Sequence, residues 1–214
     1  MAFRKKWHAL MKYEADILVI QECEHPKKYR PSEVIPDYNE FLWFGDNENK
    51  GVGLITFGDY HMEAKSEHQL EYRYIIPLRV SGPKHFDLYA VWAMPHQTRS
   101  KGYVGQVWGA LQAYTQLENA IWIGDFNSNA IWNRERKKGN HGDVVERLRQ
   151  QGVSSLYHSL LDEQEGEESQ PTIYLLKNKE KPFHLDYCFA PNVMITDETT
   201  IEVGQHDDLS LIHI

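Results

Sequence analysis

Apolar residues along this chain recur either every three to four positions or in short runs, and the change of rhythm marks out its elements. Phe3, Trp7, Leu10 and Met11 stand at helical spacing with Arg4, Lys5, Lys6 and Lys12 between them, which predicts an amphipathic helix at the start of the sequence. No Ser, Thr, Asp or Asn precedes it to cap the first turn. Asp16-Ile-Leu-Val-Ile20 is apolar on both faces and predicts a strand in the middle of a sheet, with Gln21 and Glu22 at its carboxyl end. Phe41 to Phe44, Val52 to Phe57, Tyr74 to Val80 and Phe86 to Trp92 predict further short strands, separated by Gly, Asn, Asp and Pro turn signals. Val104, Val107, Trp108, Leu111 and Tyr114 return to helical spacing. Ala120 to Ile123 is another buried strand, and Val144 to Gln151 a short helix with Gly152 at a C-cap-like position. The acidic run from Asp162 to Ser169 is expected to be a flexible loop. Thr172 to Leu176 and His184 to Ala190 read as strands. Strands outnumber helices, which fall between strand groups, so the pattern predicts an α/β protein with two sheets face to face and helices outside.

A chain of 214 residues, 41% of them hydrophobic, can bury one sizeable core, and one domain over residues 1–208 is expected. The formal net charge of -8 argues against a non-specific polyanion binder. Arg134, Arg136, Lys137 and Lys138 form a local basic strip, read most simply as a solvated loop or helix face. Cys23 and Cys188 fit neither a disulfide framework nor a paired Cys-x-x-Cys metal site, which suggests a reducing compartment. No stretch is long and apolar enough to span a bilayer, and the opening residues lack the apolar core of a secretion signal. The expectation is a cytoplasmic monomer with no membrane partner.

Candidate chemistry gathers at strand ends. Glu22 is either an exposed strand-end residue or a ligand placed in the crevice beyond a sheet. Gly124-Asp125-Phe126-Asn127 says more, because Gly124 permits a sharp turn and the period of two puts Asp125 and Asn127 on one side. A carboxylate and a carboxamide projected together suit a water-activating base beside a phosphate hydrogen-bond donor, although an Asp/Asn-rich turn would look the same. Asp186 lies among apolar strand residues, where an ionised carboxylate is expensive without a partner or a cation. Hard oxygen ligands, with no Cys or His cluster at zinc spacing, favour magnesium or manganese. His184, His141 and Trp92 are weaker candidates, for which a structural or surface role is the simpler reading.

The ordered set formed by Gln21-Glu22 after a strand, Gly124-Asp-Phe-Asn127, Pro171-Thr172 and His184-Leu-Asp-Tyr187 resembles the endonuclease/exonuclease/phosphatase superfamily. A lone Gly-Asp-x-Asn would be weak; the set in this order is specific and runs through nearly the whole chain. The resemblance points toward a compact bacterial branch that also carries Ala-Phe-Arg-Lys-Lys and Gly-Asn-His segments. It implies a four-layer α/β sandwich of DNase I type, with a magnesium site at one end of the two sheets. Glu22 would bind the metal, Asp125 would orient and deprotonate the attacking water, and Asn127 would hydrogen-bond nucleophile or phosphate. Asp186 would orient the family's histidine, and Trp92, Asn140 and His141 fall on the substrate side. The implied activity is a phosphodiesterase of nuclease type acting on a phosphodiester, with nucleic acid among its substrates. A phosphomonoesterase and a non-catalytic binding domain stay open.

The resemblance also implies that this chain lacks the family's first strand, with its Asn, and the last strand. At the other end two readings compete. Either Asp207-Asp208-Leu209-Ser210-Leu211 is a divergent copy of the family's Ser-Asp-His-x-Pro segment, with Asp208 in place of the histidine, or the native chain stops near Asp208. On the second, favoured reading, Leu209 to Ile214 is a non-native tail that matches a translated transposon end.

Overall fold

The computed structural model describes residues 3–30, 33, 37–98, 101–114, 117–133, 138–204 and 212–213. The opening helix is shorter and more broken than its periodicity predicts: α1 spans only Trp7–Leu10, between 3-10 turns at Phe3–Lys5 and Met11–Tyr13. No side chain caps α1, and Glu14 closes the segment in a left-handed conformation at φ 48°. The apolar face is nonetheless the expected one. Phe3, Trp7 and Leu10 are buried with Ile20, Cys23 and Ile55.

Those last three belong to a three-stranded antiparallel sheet of β1 (Ile17–Cys23), β2 (Glu40–Asn47) and β3 (Lys50–Thr56), ordered β1-β3-β2. Among the described residues β1 is thus an edge strand, not a central one. Its two apolar faces have another cause: Ile17 and Val19 face the second sheet, while Leu18 and Ile20 face the N-terminal segment. Burial above and below leaves a double-sided apolar run whatever lies alongside.

The second sheet has β4 (His61–Ala64), β5 (Ile75–Ser81), β6 (Phe86–Trp92), β7 (Ala120–Asp125) and β8 (Val153–Ser155). Next come a two-stranded ribbon of β9 (Ile173–Tyr174) and β10 (Pro182–Phe183), and the sixth strand of the sheet, β11 (Asp186–Pro191). The order is β4-β5-β6-β7-β11-β8, antiparallel except for the β6–β7 pair. A parallel pair needs a long crossover, supplied by the segment that carries α2 (Val104–Ala113). Tyr89 and Trp122, register partners across this pair, stack with centroids 4.1 Å apart, an arrangement worth about 0.5–1.5 kcal/mol beyond area burial.

Between the sheets lie Val52, Leu54, Ile76, Leu78, Val80, Leu88 and Ala90. The outer face of the second sheet is covered by Val107, Ala110 and Leu111 of α2 and by Val144 and Leu148 of α3 (His141–Arg149). The layers are therefore N-terminal segment, sheet, sheet and helices. α3 starts three residues earlier than its apolar spacing suggests, because Asn140 and Asp143 form a reciprocal capping box. A further helix, α4 (Leu156–Leu161), packs on β11 and leads into the acidic run.

That run is no loose loop. Glu163 accepts from the Ser169 N–H at 2.7 Å and from the Tyr157 hydroxyl at 2.8 Å, and Glu168 accepts from the Asn129 amide at 2.9 Å. Near the end of the chain, β12 (Glu202–Val203) pairs with β13 (Ile212–His213). The segment Asp207-Asp208-Leu209-Ser210-Leu211 lies outside the described residues, as do Arg134, Arg136 and Lys137. No helix among the described residues is long and apolar enough to cross a membrane.

Candidate active site

Three strand ends meet at one edge of the two sheets. β7 finishes at Asp125, and β11 begins at Asp186, its direct register partner. β1 brings Glu22 in from the first sheet. The junction between the sheets is close because Gly124, at φ 134°, has no side chain: a Cβ there would sit 2.1 Å from the Val91 carbonyl and 2.5 Å from the Gln21 amide nitrogen. Glu22 sits on a bulge, where the β1–β3 register shifts between Ile20 and Cys23 and its own φ is 56°. This irregularity turns Glu22 out of the strand alternation.

Asn127 does not continue the strand as the period-two reading expects. Its φ of 46° makes a turn, closed by its N–H donating to Asp125 Oδ1 at 2.8 Å. The side chains still meet, since Asn127 Nδ2 donates to Asp125 Oδ2 at 2.8 Å and to the Ala93 carbonyl at 2.9 Å. Both amide hydrogens are thereby used within the protein. Asn127 braces Asp125.

Asp125 and Asp186 are partly buried side by side, and each carboxyl is pushed above the ordinary carboxylate range. For Asp125 burial is the largest cause, followed by repulsion from Asp186, and Glu22 adds to it; for Asp186 burial raises the value against a hydrogen bond from Thr172. Thr172 is itself buried, and its hydroxyl oxygen accepts from the Leu185 and Asp186 N–H groups at 2.9 and 3.1 Å, fixing where β11 starts. Glu22 behaves differently. Burial pushes its carboxyl up, but the hydrogen bond from Lys50 Nζ at 2.8 Å and other favourable contacts hold it below the usual range. Lys50, next to the hairpin turn after β2, carries no sequence signal that would have singled it out.

Among the described residues no Lys or Arg lies within ion-pair distance of Asp125 or Asp186. Two adjacent aspartates with no cation on them, and Glu22 nearby in an ion pair with Lys50, form a hard-oxygen donor set of the kind that suits magnesium or manganese. The repulsion that raises Asp125 is what a divalent cation would relieve.

The residues expected on the substrate side are placed otherwise. Trp92 is sealed between the sheets at 3% exposure, tilted against Tyr74 at 5.0 Å. Asn140 serves the capping box of α3. His141 is buried at 1% exposure between Ser128 Oγ at 2.9 Å and Glu165 Oε2 at 3.1 Å. In this structure Trp92 and His141 are buried and Asn140 is half-buried at the start of α3. His184 is buried as well and is not among the acidic residues of the site.

No protein-family model matches the sequence, and no curated protein matches it. Solved structures do share its fold. An AP endonuclease from Archaeoglobus fulgidus superposes with a TM-score of 0.59 at 18% identity, covering 89% of this chain and 83% of that one. A 3'-5' exonuclease, NExo, from Neisseria meningitidis gives 0.57 at 12% identity over 90% and 84%. The 3' phosphatase NExo from Neisseria, bound to a product DNA hairpin, gives 0.54 at 11% identity over 90% and 84%. The four-layer α/β sandwich expected from the sequence is therefore the fold of this chain, with two main sheets flanked by helical segments.

Proposed function

We propose that this chain is a member of the endonuclease/exonuclease/phosphatase superfamily and a divalent-metal-dependent phosphoester hydrolase, acting on a phosphodiester of nucleic-acid type. The observation that carries this reading is the registered Asp125–Asp186 pair with Glu22 close enough to raise Asp125 further. Supporting it, proteins of the same fold are an AP endonuclease, a 3'-5' exonuclease and a 3' phosphatase bound to a DNA hairpin.

Glu22, with the two aspartates beside it, would hold magnesium or manganese, which supplies Lewis-acid stabilisation of charge on the phosphoryl group when bound. Asp125 takes the proton of the attacking water. The two hydrogen bonds from Asn127 aim its carboxylate. Asn127 is accordingly a positioning residue. Asp186, fixed through Thr172, lies directly across from Asp125 and anchors the strand end beside it. The contribution of the site is orientation and electrostatics.

The test is a substrate panel on the full chain in magnesium: bis-p-nitrophenyl phosphate, p-nitrophenyl phosphate, an abasic-site duplex and a 3'-phosphorylated DNA hairpin. Turnover of diester or DNA, absent in chelator and in Asp125→Ala, supports the reading. Cleavage of monoesters alone moves it to a phosphatase, the second reading, which the phosphatase of the same fold supports. No turnover on any of them leaves a binding domain and contradicts both.

A further inference from the structure

Behind the start of β11 lies a second cluster of ligand-type side chains, built from residues that the hydrolytic reading does not use. His158 on α4 pairs through Nδ1 with Glu165 Oε1 at 3.4 Å and through Nε2 with Glu168 Oε1 at 3.2 Å. One ligand atom from each of these three residues falls within 4.8 Å of the others. For comparison, the ligand atoms of a tetrahedral zinc with bonds of about 2.0–2.1 Å stand about 3.3 Å apart.

Ion pairing alone could account for His158. It does not account for His184. That side chain is only 3% exposed, and its Nδ1 faces the Gln170 carbonyl at 2.7 Å. A carbonyl can only accept, so Nδ1 carries the proton and Nε2 presents a bare lone pair. Nε2 is buried with no hydrogen-bond partner. Its ring lies 6.4 Å from that of His158, centroid to centroid, and both Glu165 and Glu168 act on it electrostatically. An imidazole tied by one nitrogen to a carbonyl, with the other buried and bare, has the arrangement of a metal-bound histidine and its supporting shell.

We infer that His158, His184, Glu165 and Glu168 form a site for a divalent transition metal of zinc type, separate from the hydrolytic carboxylates. Two imidazoles and two carboxylates suit a borderline-soft ion better than magnesium or calcium. Their two negative charges balance the ion, and the Glu168 side chain is nearly buried at 4% exposure. The supporting contacts are in place: Asn129 Nδ2 and the Gly166 N–H donate to Glu168 at 2.9 and 3.0 Å, and His141 lies against Glu165. A cleft of about 330 Å³ is lined by two of the four residues, Glu168 and His184, together with Asn129. The ion would clamp the acidic run onto α4 and the residues leading into Asp186, making the site structural.

Cobalt(II), and then zinc, titrated into the chelator-treated full chain tests this. One equivalent of cobalt should bind with the intense visible bands of a four-coordinate ion and be displaced by one equivalent of zinc. The bands should persist in Glu22→Gln, and the affinity should fall about tenfold or more in Glu168→Gln and in His184→Gln. Should the His184 variant fail to fold, the imidazole nitrogen resonance of His184 in the unmodified chain takes its place, and zinc should shift it. Absence of the four-coordinate bands, their survival in both ligand variants, their loss in Glu22→Gln, or a His184 resonance indifferent to zinc would each overturn the assignment.

Discussion

Asp186 stands directly across from Asp125 on adjacent antiparallel strands. Like charges in directly opposed positions destabilise a sheet, so the pair costs free energy unless a proton or a cation offsets it. Both carboxyls are pushed up in the folded chain. Folding therefore takes up protons here. The stability contributed by protonation is fully present below the unfolded carboxylate value of about 4 and is lost as pH rises through the raised folded values. Asp186→Asn removes the repulsion while keeping an acceptor for Thr172. In chelator at pH 8 it should be more stable than the unmodified chain by on the order of 1 kcal/mol in urea unfolding, a gain that vanishes near pH 4. Equal stability at both pH values would show that the pair is not strained.

The same repulsion gives magnesium a direct effect on folding. At a hundred times its dissociation constant an ion bound only by the folded chain adds about 2.7 kcal/mol. Urea unfolding at neutral pH should show a gain of this order with magnesium, reduced sharply in Glu22→Gln. A gain of the same size in that variant would remove Glu22 from the site.

Gly124→Ala probes the close approach of β7 to β6 and β1. Its Cβ would meet the Val91 carbonyl at 2.1 Å, and φ of 134° strains any other residue. Chemical unfolding should show a loss of about 3 kcal/mol or more, among the larger effects of a single substitution. A change within experimental error would mean that Gly124 is not pressed against the Val91 carbonyl.

Thr172→Val keeps the shape and deletes the acceptor of two N–H groups at the start of β11. The expected cost is about 1–3 kcal/mol, together with lower kcat and little change in KM, because Asp186 shifts while the substrate surface stays. A raised KM at constant kcat would place Thr172 in substrate binding instead.

Much of this site was legible in the sequence because its parts are local. β7 and the glycine that ends it are a contiguous signal, and Asp125 and Asn127 are two residues apart whether the chain runs on as strand or turns. The pairing of Asp125 with Asp186 is not local: register between strands 61 residues apart in sequence is set by packing, not by either segment alone. The residue type of Asn127 shows its capacity to donate to a nucleophile or phosphate, while the Ala93 and Asp125 oxygens that its amide meets are a matter of three dimensions. Net charge and polarity made the acidic run look loose. Its glutamates are held by His158, His141, Asn129 and Tyr157, which come from elsewhere in the chain. His158 and His184 likewise escape any test of ligand spacing, because the fold alone brings them near each other.

The role of Asp125 is tested most directly by the initial rate of magnesium-dependent bis-p-nitrophenyl phosphate cleavage, measured side by side for the unmodified chain and Asp125→Asn at pH 8. With Asp125 as the base, the unmodified chain turns over, chelator stops it, and the variant loses about a hundredfold or more while still folding. Turnover by Asp125→Asn at an undiminished rate would contradict the assignment of the Asp125–Asp186 pair as the hydrolytic centre.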